Sequence, residues 1–140
     1  MGMTEAQRLT AWGDELVRLH DGFRKELARI RAGGRGFDLR THCLAFCDAL
    51  HEHHAGEDAV LFPHLAAEHP ELAEVLTRLG AEHQVVARLM GRVRALLDGG
   101  GDDLGPELDR LADELEAHLD HEERQLVPLL NRMTSLPDGV

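Results

Sequence analysis

The sequence predicts an all-α protein, an up-down-up-down antiparallel bundle of four helices. Apolar residues recur every three or four positions, as at Phe23, Leu27 and Ile30, which is the period of an α-helix rather than a strand. Glycine clusters at 32–36 and 99–105, together with the break at His69 and Pro70, divide this pattern into four segments. The connections between the segments are short, and short connections between long helices favour antiparallel neighbours.

The four predicted helices span residues 4–31, 38–67, 70–98 and 105–132. Thr4 and Gln7 resemble a capping box for the first helix, and Asp38 can cap the second. Pro70 and Pro106 stand in predicted first turns, where a missing backbone N–H is tolerated. Because 140 residues is close to the commonest domain size, we expect a single domain over residues 1–140.

Composition and charge exclude several classes of partner. A formal net charge of -11, without a run of Lys and Arg, opposes binding to nucleic acid or to an anionic membrane. The chain has neither a signal-type apolar segment nor a long uncharged apolar stretch, so we expect a soluble, cytoplasmic protein. Cys43 and Cys47 suit a reducing compartment and are interpreted as packing thiols. The absence of tyrosine excludes a tyrosinate metal ligand.

Ten histidines in 140 residues require a chemical explanation, since they do not form a tag-like run. Two segments repeat 65 residues apart, HHAGEDAVLFP from His53 and HLDHEERQLVP from His118. Each reads H-x-x-x-E, with Leu and Pro four and six residues after Glu57 or Glu122. The first and third helices repeat more loosely and each add one histidine. The chain therefore looks like a duplicated helical hairpin.

The helical period turns these polar residues toward the predicted core. An i, i+4 pair lies on one helical face, so His53 with Glu57 and His118 with Glu122 can converge on one point. Unpaired, each buried polar group would cost about 1–3 kcal/mol, and neighbouring carboxylates would repel. A bound cation resolves both problems. The candidate metal ligands are His20, His53, Glu57, His83, His118 and Glu122.

Other polar residues compete for these places or support them. His54 with Asp58, on the flank, is an alternative to His53, and His121 is an alternative to His118; the register of the apolar face favours His53 and His118. Glu114 could accept the outer N–H of a ligating imidazole, or could lie on the surface. His42 and His64 could contact the metal ligands or line a channel, but hydrogen bonding at the bundle ends is favoured, and we expect His51 and His69 to be solvated.

The donor set favours particular metals. Four imidazoles and two carboxylates can give three ligands to each of two ions, with both glutamates able to bridge. Nitrogen and oxygen donors without thiolate suit iron or manganese and, less distinctively, zinc, and bridging carboxylates favour a di-iron pair. Iron storage of the ferritin kind is less favoured, because that site has more carboxylates and uses Glu-x-x-His pairs.

From His20 to Pro128 the chain resembles hemerythrin-like proteins of the HHE cation-binding family, most specifically in HHAGEDAVLFP and HLDHEERQLVP. The resemblance implies a non-haem di-iron centre, oxo- or hydroxo-bridged as well as carboxylate-bridged, with the same six residues as ligands. The chain departs from the pattern of the oxygen carriers in one respect. Oxygen-carrying hemerythrins have H-x-x-x-H on the third helix, whereas His83 here has Leu79 and Ala87 four residues away. One iron position is then left to water or substrate.

This resemblance leads to two functional hypotheses. In the first, a redox enzyme takes O2, H2O2 or NO at the open position and disproportionates peroxide or oxidises a small organic substrate. In the second, the domain is a non-catalytic sensor or binding module for oxygen, nitric oxide or iron. Both hypotheses place two iron ions in the bundle, with zinc or manganese as substitutes.

Overall fold

The computed structural model describes residues 12–34, 36–99 and 103–133, and within these ranges the protein is helical with no strand. The helices are α1 (Trp12–Ala32), α2 (Leu39–Gly56), α3 (Phe62–Glu68), α4 (Ala73–Gly99) and α5 (Leu104–Leu130). A π-helical turn, Glu57–Leu61, joins α2 to α3 in one continuous rod, and a 3-10 turn, Pro70–Leu72, precedes α4. The prediction of an all-α helical bundle is confirmed at this level.

The helix ends lie close to those predicted. The rod formed by α2, the π turn and α3 covers 39–68, against 38–67 predicted, and α5 ends at Leu130 rather than at 132. Asp38 caps α2 as predicted, because its carboxylate accepts a hydrogen bond from the backbone N–H of Thr41 at 3.1 Å. Predicted residues 4–11 of the first helix, with the capping pair Thr4 and Gln7, lie outside the described residues.

Glycine allows the tight connection between α1 and α2. Gly33, Gly34 and Gly36 have φ values of 56°, 113° and 82°, in the region that side chains with a Cβ rarely adopt. The N–H of Gly33 donates to the carbonyl of Arg29 at 3.0 Å and closes the last turn of α1. The chain can therefore reverse within a few residues.

Two pairs of helices run in opposite directions. Along α1 and α5, residue numbers rise on one helix as they fall on the other in the hydrogen-bonded or ion-paired contacts Gly13 with Asn131, His20 with Glu123, and Arg31 with Asp109. The same relation holds between the α2 rod and α4 in the contacts Arg40 with Asp98, Asp48 with Arg94, and Asp58 with His83. These contacts join the rods in two pairs, α1 with α5 and the α2 rod with α4.

A polar layer divides the apolar core into two parts. On α1, Leu16 belongs to one apolar cluster and Phe23 to the other, and the fully buried His20 lies between them. On α4, His83 has the same position between Leu79 and Val86. Cys43 and Cys47 are free thiols in the larger cluster, in agreement with a packing role. None of the described helices has the length and apolar character needed to cross a membrane.

Candidate metal centre

Seven polar side chains meet in this layer. All six residues proposed as ligands from the sequence lie there, and His54 joins them; the full set is His20, His53, His54, Glu57, His83, His118 and Glu122. Six of the seven are buried, with at most 4% of their surface exposed, and the side chain of His53 is 14% exposed. Buried charged or titratable groups at this density require pairing or a cation.

The seven side chains form two groups of potential metal donors. Group A consists of His54, Glu57, His83 and His118, and group B consists of His20, His53, Glu57 and Glu122. Within each group, one donor atom from every residue lies within 4.8 Å of the others. With bond lengths of about 2.0–2.2 Å, opposite donors of one ion are about 4.4 Å apart, so each group spans roughly one coordination shell. Glu57 is common to both groups.

The donor atoms of these groups have no partner of their own. Within the described part of the chain, the Nε2 atoms of all five histidines and both carboxylate oxygens of Glu57 and Glu122 are buried without a hydrogen bond. Some approach each other closely: Nε2 of His20 is 2.9 Å from Glu122, and Nε2 of His83 is 3.3 Å from Glu57, but not in hydrogen-bond geometry. Because buried polar groups are normally satisfied, these atoms fit the ligand shell of a metal cation.

The two buried carboxyl groups differ in their affinity for a proton. Burial, and then the charge of Glu122, raise the pKa of Glu57 well above its usual value. Burial also acts to raise the pKa of Glu122, but its close contacts with His20 and Glu57 outweigh this and lower the pKa. Without a cation, Glu122 therefore ionises first, and its charge opposes ionisation of Glu57. Two divalent ions would stabilise both groups as carboxylates.

The histidines of the layer favour the neutral form that binds metals. Burial lowers the pKa of His53 to about 4 and that of His54 to about 2, and neighbouring imidazoles add to the shift at His54. Burial and the proximity of His118 likewise lower the pKa of His83. At neutral pH these three rings are therefore uncharged, and each has a nitrogen lone pair available for a ligand bond.

Carboxylates outside the layer hold three of the imidazoles in place. The Nδ1 atoms of the three rings lie 2.8 Å from one carboxylate oxygen each, in the pairs His20 with Glu123, His83 with Asp58, and His118 with Glu82. A carboxylate can only accept a hydrogen bond, so each Nδ1 carries a proton that it donates to its carboxylate, and each Nε2 faces the layer. These carboxylates take the place proposed for Glu114, which is exposed.

His53 and His54 both belong to the layer, so the prediction that set His54 on the flank as an alternative is wrong. At 100° per residue, His54 lies about 40° from the fully buried Leu50 on one side, and His53 about 60° on the other. Counting the buried Cys43 and Leu61 as core positions would have turned the predicted face toward His54. Asp58 pairs with His83 on another helix rather than with His54.

A π-helical turn begins at Glu57, the residue shared by both groups. The N–H of Phe62 donates to the carbonyl of Glu57, five residues earlier, instead of four. Pro63 follows directly and has no N–H to donate, so a regular helical hydrogen bond to Ala59 cannot form there. Such turns are frequent at functional sites, and this one adjusts the helical register between Glu57 and Leu61, both of which remain buried.

The remaining histidines lie outside the two groups. His121 bonds through Nδ1 to Glu82 at 2.8 Å, so it supports His118 rather than replacing it. His42 pairs with Glu26 at 3.0 Å and stacks on Phe37, which is the bundle-end role that the sequence favoured. His51 is exposed as expected, whereas His64 and His69 are half-buried.

Comparison with known proteins identifies the family. No match was found among curated proteins or among solved structures. The family model described as the hemerythrin HHE cation-binding domain matches residues 13–130, which is most of the chain and includes every residue of groups A and B. The chain therefore belongs to the hemerythrin HHE cation-binding domain family.

Proposed function

We propose that the protein holds two iron ions, one in group A and one in group B, and that this centre reacts with a small oxidant or with nitric oxide. The observation that carries the proposal is the set of buried donor atoms without hydrogen bonds, five imidazole nitrogens and four carboxylate oxygens. The donors come from all four helical rods, so no change of a single side chain could give each of them a hydrogen-bond partner. Two cations satisfy the set without any change of fold.

The two positions are unequal in this proposal. Group A has three imidazoles and Glu57, whereas group B has two imidazoles and two carboxylates. His54 thus supplies a third histidine to group A, and the carboxylate of Glu57, which is common to both groups, would bridge the two ions. Imidazole and carboxylate donors without thiolate suit iron, and zinc or manganese can substitute.

When bound, the iron pair would supply redox chemistry toward O2, H2O2 or NO, such as peroxide disproportionation or oxidation of a small organic substrate. The chain contributes position and exclusion of water. Phe62 stacks on His83 with ring centroids 5.4 Å apart, and Phe23 lies beside His53 at 5.6 Å. Asp58, Glu82 and Glu123 hold the Nδ1 protons of three imidazoles and so keep the opposite nitrogens directed at the ions.

The proposal extends to the context in which the protein acts. The opposed directions of α1 and α5, and of the α2 rod and α4, support an up-down-up-down antiparallel topology within one domain over residues 1–140. Free, buried Cys43 and Cys47 support a reducing, cytoplasmic location. The partners are small molecules, and the net charge of -11 disfavours nucleic acid and anionic membranes.

Metal analysis and absorption spectroscopy test the centre directly. The protein, reconstituted with Fe(II) and then exposed to air, should bind about two iron atoms per chain and show ligand-to-metal absorption in the near ultraviolet. The matched variants are His83→Ala, which removes a group A donor, and His51→Ala, which removes an exposed histidine. A colourless wild-type protein that binds no metal and is fully stable contradicts the proposal.

Oxygen evolution from peroxide tests the enzymatic form of the proposal. Turnover in the iron-loaded wild type, lost in His83→Ala and retained in His51→Ala, supports peroxide disproportionation. If the loaded wild type binds two irons but turns over no peroxide, or if turnover is unchanged in His83→Ala, peroxide is not the substrate. A metal centre without turnover that binds NO or O2 stoichiometrically would instead indicate a sensor or binding module.

A further inference from the structure

The three carboxylates behind the metal-centre histidines are not held equally. Glu123, which accepts the hydrogen bond of His20, has Arg24 beside it: Nη1 of Arg24 lies 2.8 Å from the same oxygen, Oε2, that contacts His20. Glu82 instead contacts a second histidine, His121. Of the three carboxylates, Glu123 is the one for which the described contacts include an arginine.

Arg24 is itself fixed from several directions. Its Nε donates to Glu116 at 3.0 Å, Nη2 to Asp120 at 3.2 Å and Nη1 to Asp21 at 3.0 Å, in addition to the contact with Glu123. The side chain is only 20% exposed, which limits screening by solvent. Because the guanidinium is planar and rigid, four carboxylates around it define one orientation, and Glu123 is held in that orientation with it.

The chain of contacts ends at group B. Glu123 accepts the Nδ1 proton of the fully buried His20, and Nε2 of the same ring is 2.9 Å from Glu122. His20 is a donor of group B and not of group A. Any loosening of Glu123 would therefore affect one of the two proposed ions, while His83 and His118 of group A keep their own carboxylates.

We propose that Arg24 is a positioning residue for group B: by fixing Glu123 it keeps the proton of His20 on Nδ1, directs Nε2 at the ion, and strengthens binding at that position alone. This inference rests on the proposed two-ion centre. Arg24 acts through two other side chains and touches no metal donor itself.

The test is a titration with Co(II) alone, followed by visible absorption, on wild type and on matched variants. Arg24→Met keeps an unbranched apolar side chain and removes the guanidinium group. Arg31→Met is the control, since Arg31 makes the same kind of contact between α1 and α5, to Asp109 at 2.9 Å, far from any metal donor. We expect Arg24→Met to weaken one of the two binding steps about 10- to 100-fold and to leave the other unchanged. Arg31→Met should leave both steps unchanged.

A second measurement does not depend on metal. Long-range ¹⁵N–¹H correlation of the histidine rings in the metal-free protein reports which nitrogen of His20 carries the proton. Wild type and Arg31→Met should show Nδ1 of His20 fully protonated, and Arg24→Met should show Nδ1 only partly protonated. If Arg24→Met does not fold, Glu123→Ala removes the same contact to His20 and should weaken the same single step.

The possible outcomes separate the inference from the proposed function. Wild-type protein that takes up no Co(II) contradicts the two-ion centre and, with it, this inference. Wild-type protein that binds two ions while Arg24→Met binds both equally well contradicts the inference alone. Equal weakening of both steps in Arg24→Met also contradicts it, because that result would show a general loss of bundle stability.

Discussion

His54 and His83 stack face to face, with ring centroids 3.9 Å apart and an interplanar angle of 12°. His118 meets both rings edge-on, at 5.0 Å from His54 and 4.6 Å from His83. The Nε2 atoms of these three rings are buried without a hydrogen bond within the described residues. Three imidazole rings whose buried Nε2 atoms have no partner in one small volume are better explained by a shared cation than by packing alone.

His54 should be required for one of the two ions. We expect His54→Ala to bind about one iron per chain instead of about two, because group A loses one of its three imidazoles while group B is intact. Iron analysis after removal of loosely bound metal measures the effect. The control is His51→Ala, at an exposed position three residues earlier on the same helix. If His54→Ala keeps two irons of unchanged affinity, His54 is a packing residue and not a ligand.

Glu57 should matter for both ions, because it is the residue common to groups A and B. We expect Glu57→Gln to lose tight binding at both positions, since a neutral amide is a weaker donor and cannot bridge as a carboxylate does. The metal-free variant should be at least as stable to heat as metal-free wild type, because a buried carboxyl with a raised pKa is removed. Glu52→Gln, at an exposed site on α2, is the control. Retention of two tightly bound ions by Glu57→Gln would contradict the shared position.

Removal of metal should destabilise the wild-type bundle. Ligands that bind only the folded state stabilise it by about 2.7 kcal/mol when their free concentration is a hundred times Kd. We therefore expect a chelator to lower the melting temperature of the reconstituted wild type, measured by circular dichroism, and to leave Glu57→Gln nearly unchanged. A wild-type melting temperature that is independent of added iron would show that the metal does not bind preferentially to the folded chain.

The thiol of Cys47 should be unreactive in the folded protein. Burial raises its pKa to about 11, and the nearby Cys43 thiol adds to the shift. Since the thiolate is the nucleophile, a group with a raised pKa stays protonated at pH 8 and becomes reactive only as the pH approaches 11. We expect a coloured thiol reagent to label neither cysteine within minutes at pH 8 and to label both in denaturant. Rapid labelling of the native protein would be inconsistent with the buried positions.

Two glycines of α1 should respond in opposite ways to an added methyl group. A Cβ at Gly13 would lie 2.5 Å from the carbonyl oxygen of Val127 and 2.7 Å from Oδ1 of Asn131, so the helices would have to separate. We expect Gly13→Ala to destabilise the protein by about 1–3 kcal/mol, the usual cost of overpacking. At the exposed Gly22 no atom lies within 4 Å of such a Cβ, and Gly22→Ala should stabilise it by about 1 kcal/mol.

Denaturant unfolding of the two variants measures this difference. Gly22→Ala is the control for any effect of alanine on helix propensity, since both residues lie on α1. Equal stabilisation by both substitutions would mean that α1 and α5 do not approach as closely near Gly13 as the structure shows.

Most of the candidate centre could be predicted because its donors follow local rules. His53 with Glu57 and His118 with Glu122 are one helical turn apart, and a helical turn has the same geometry in any protein. The choice between His53 and His54 could not be made in this way, because adjacent residues differ by 100° and the buried face is centred between them. The rotation of a helix about its axis is decided by its neighbours.

The outer contacts are even less accessible from sequence. Arg24 contacts Glu123, about a hundred residues later in the chain, and Glu82 on α4 contacts His118 on α5. Many other acidic side chains lie on exposed helical faces, and no spacing in the sequence marks these partners among them. Only the packed structure distinguishes Glu82 and Glu123 from the exposed Glu114.

The sequence by itself determined the helical class and the approximate helix bounds, and it brought to one layer the six residues proposed as ligands, because hydrophobic period, breakers and i, i+4 pairing act within one helix. The tertiary structure decided that His54 joins them, that Glu57 is common to two groups, and that Asp58, Glu82 and Glu123 orient the imidazoles. These features depend on how each helix is rotated and packed against its neighbours. That packing is fixed by contacts between residues far apart in the chain, which no local pattern encodes.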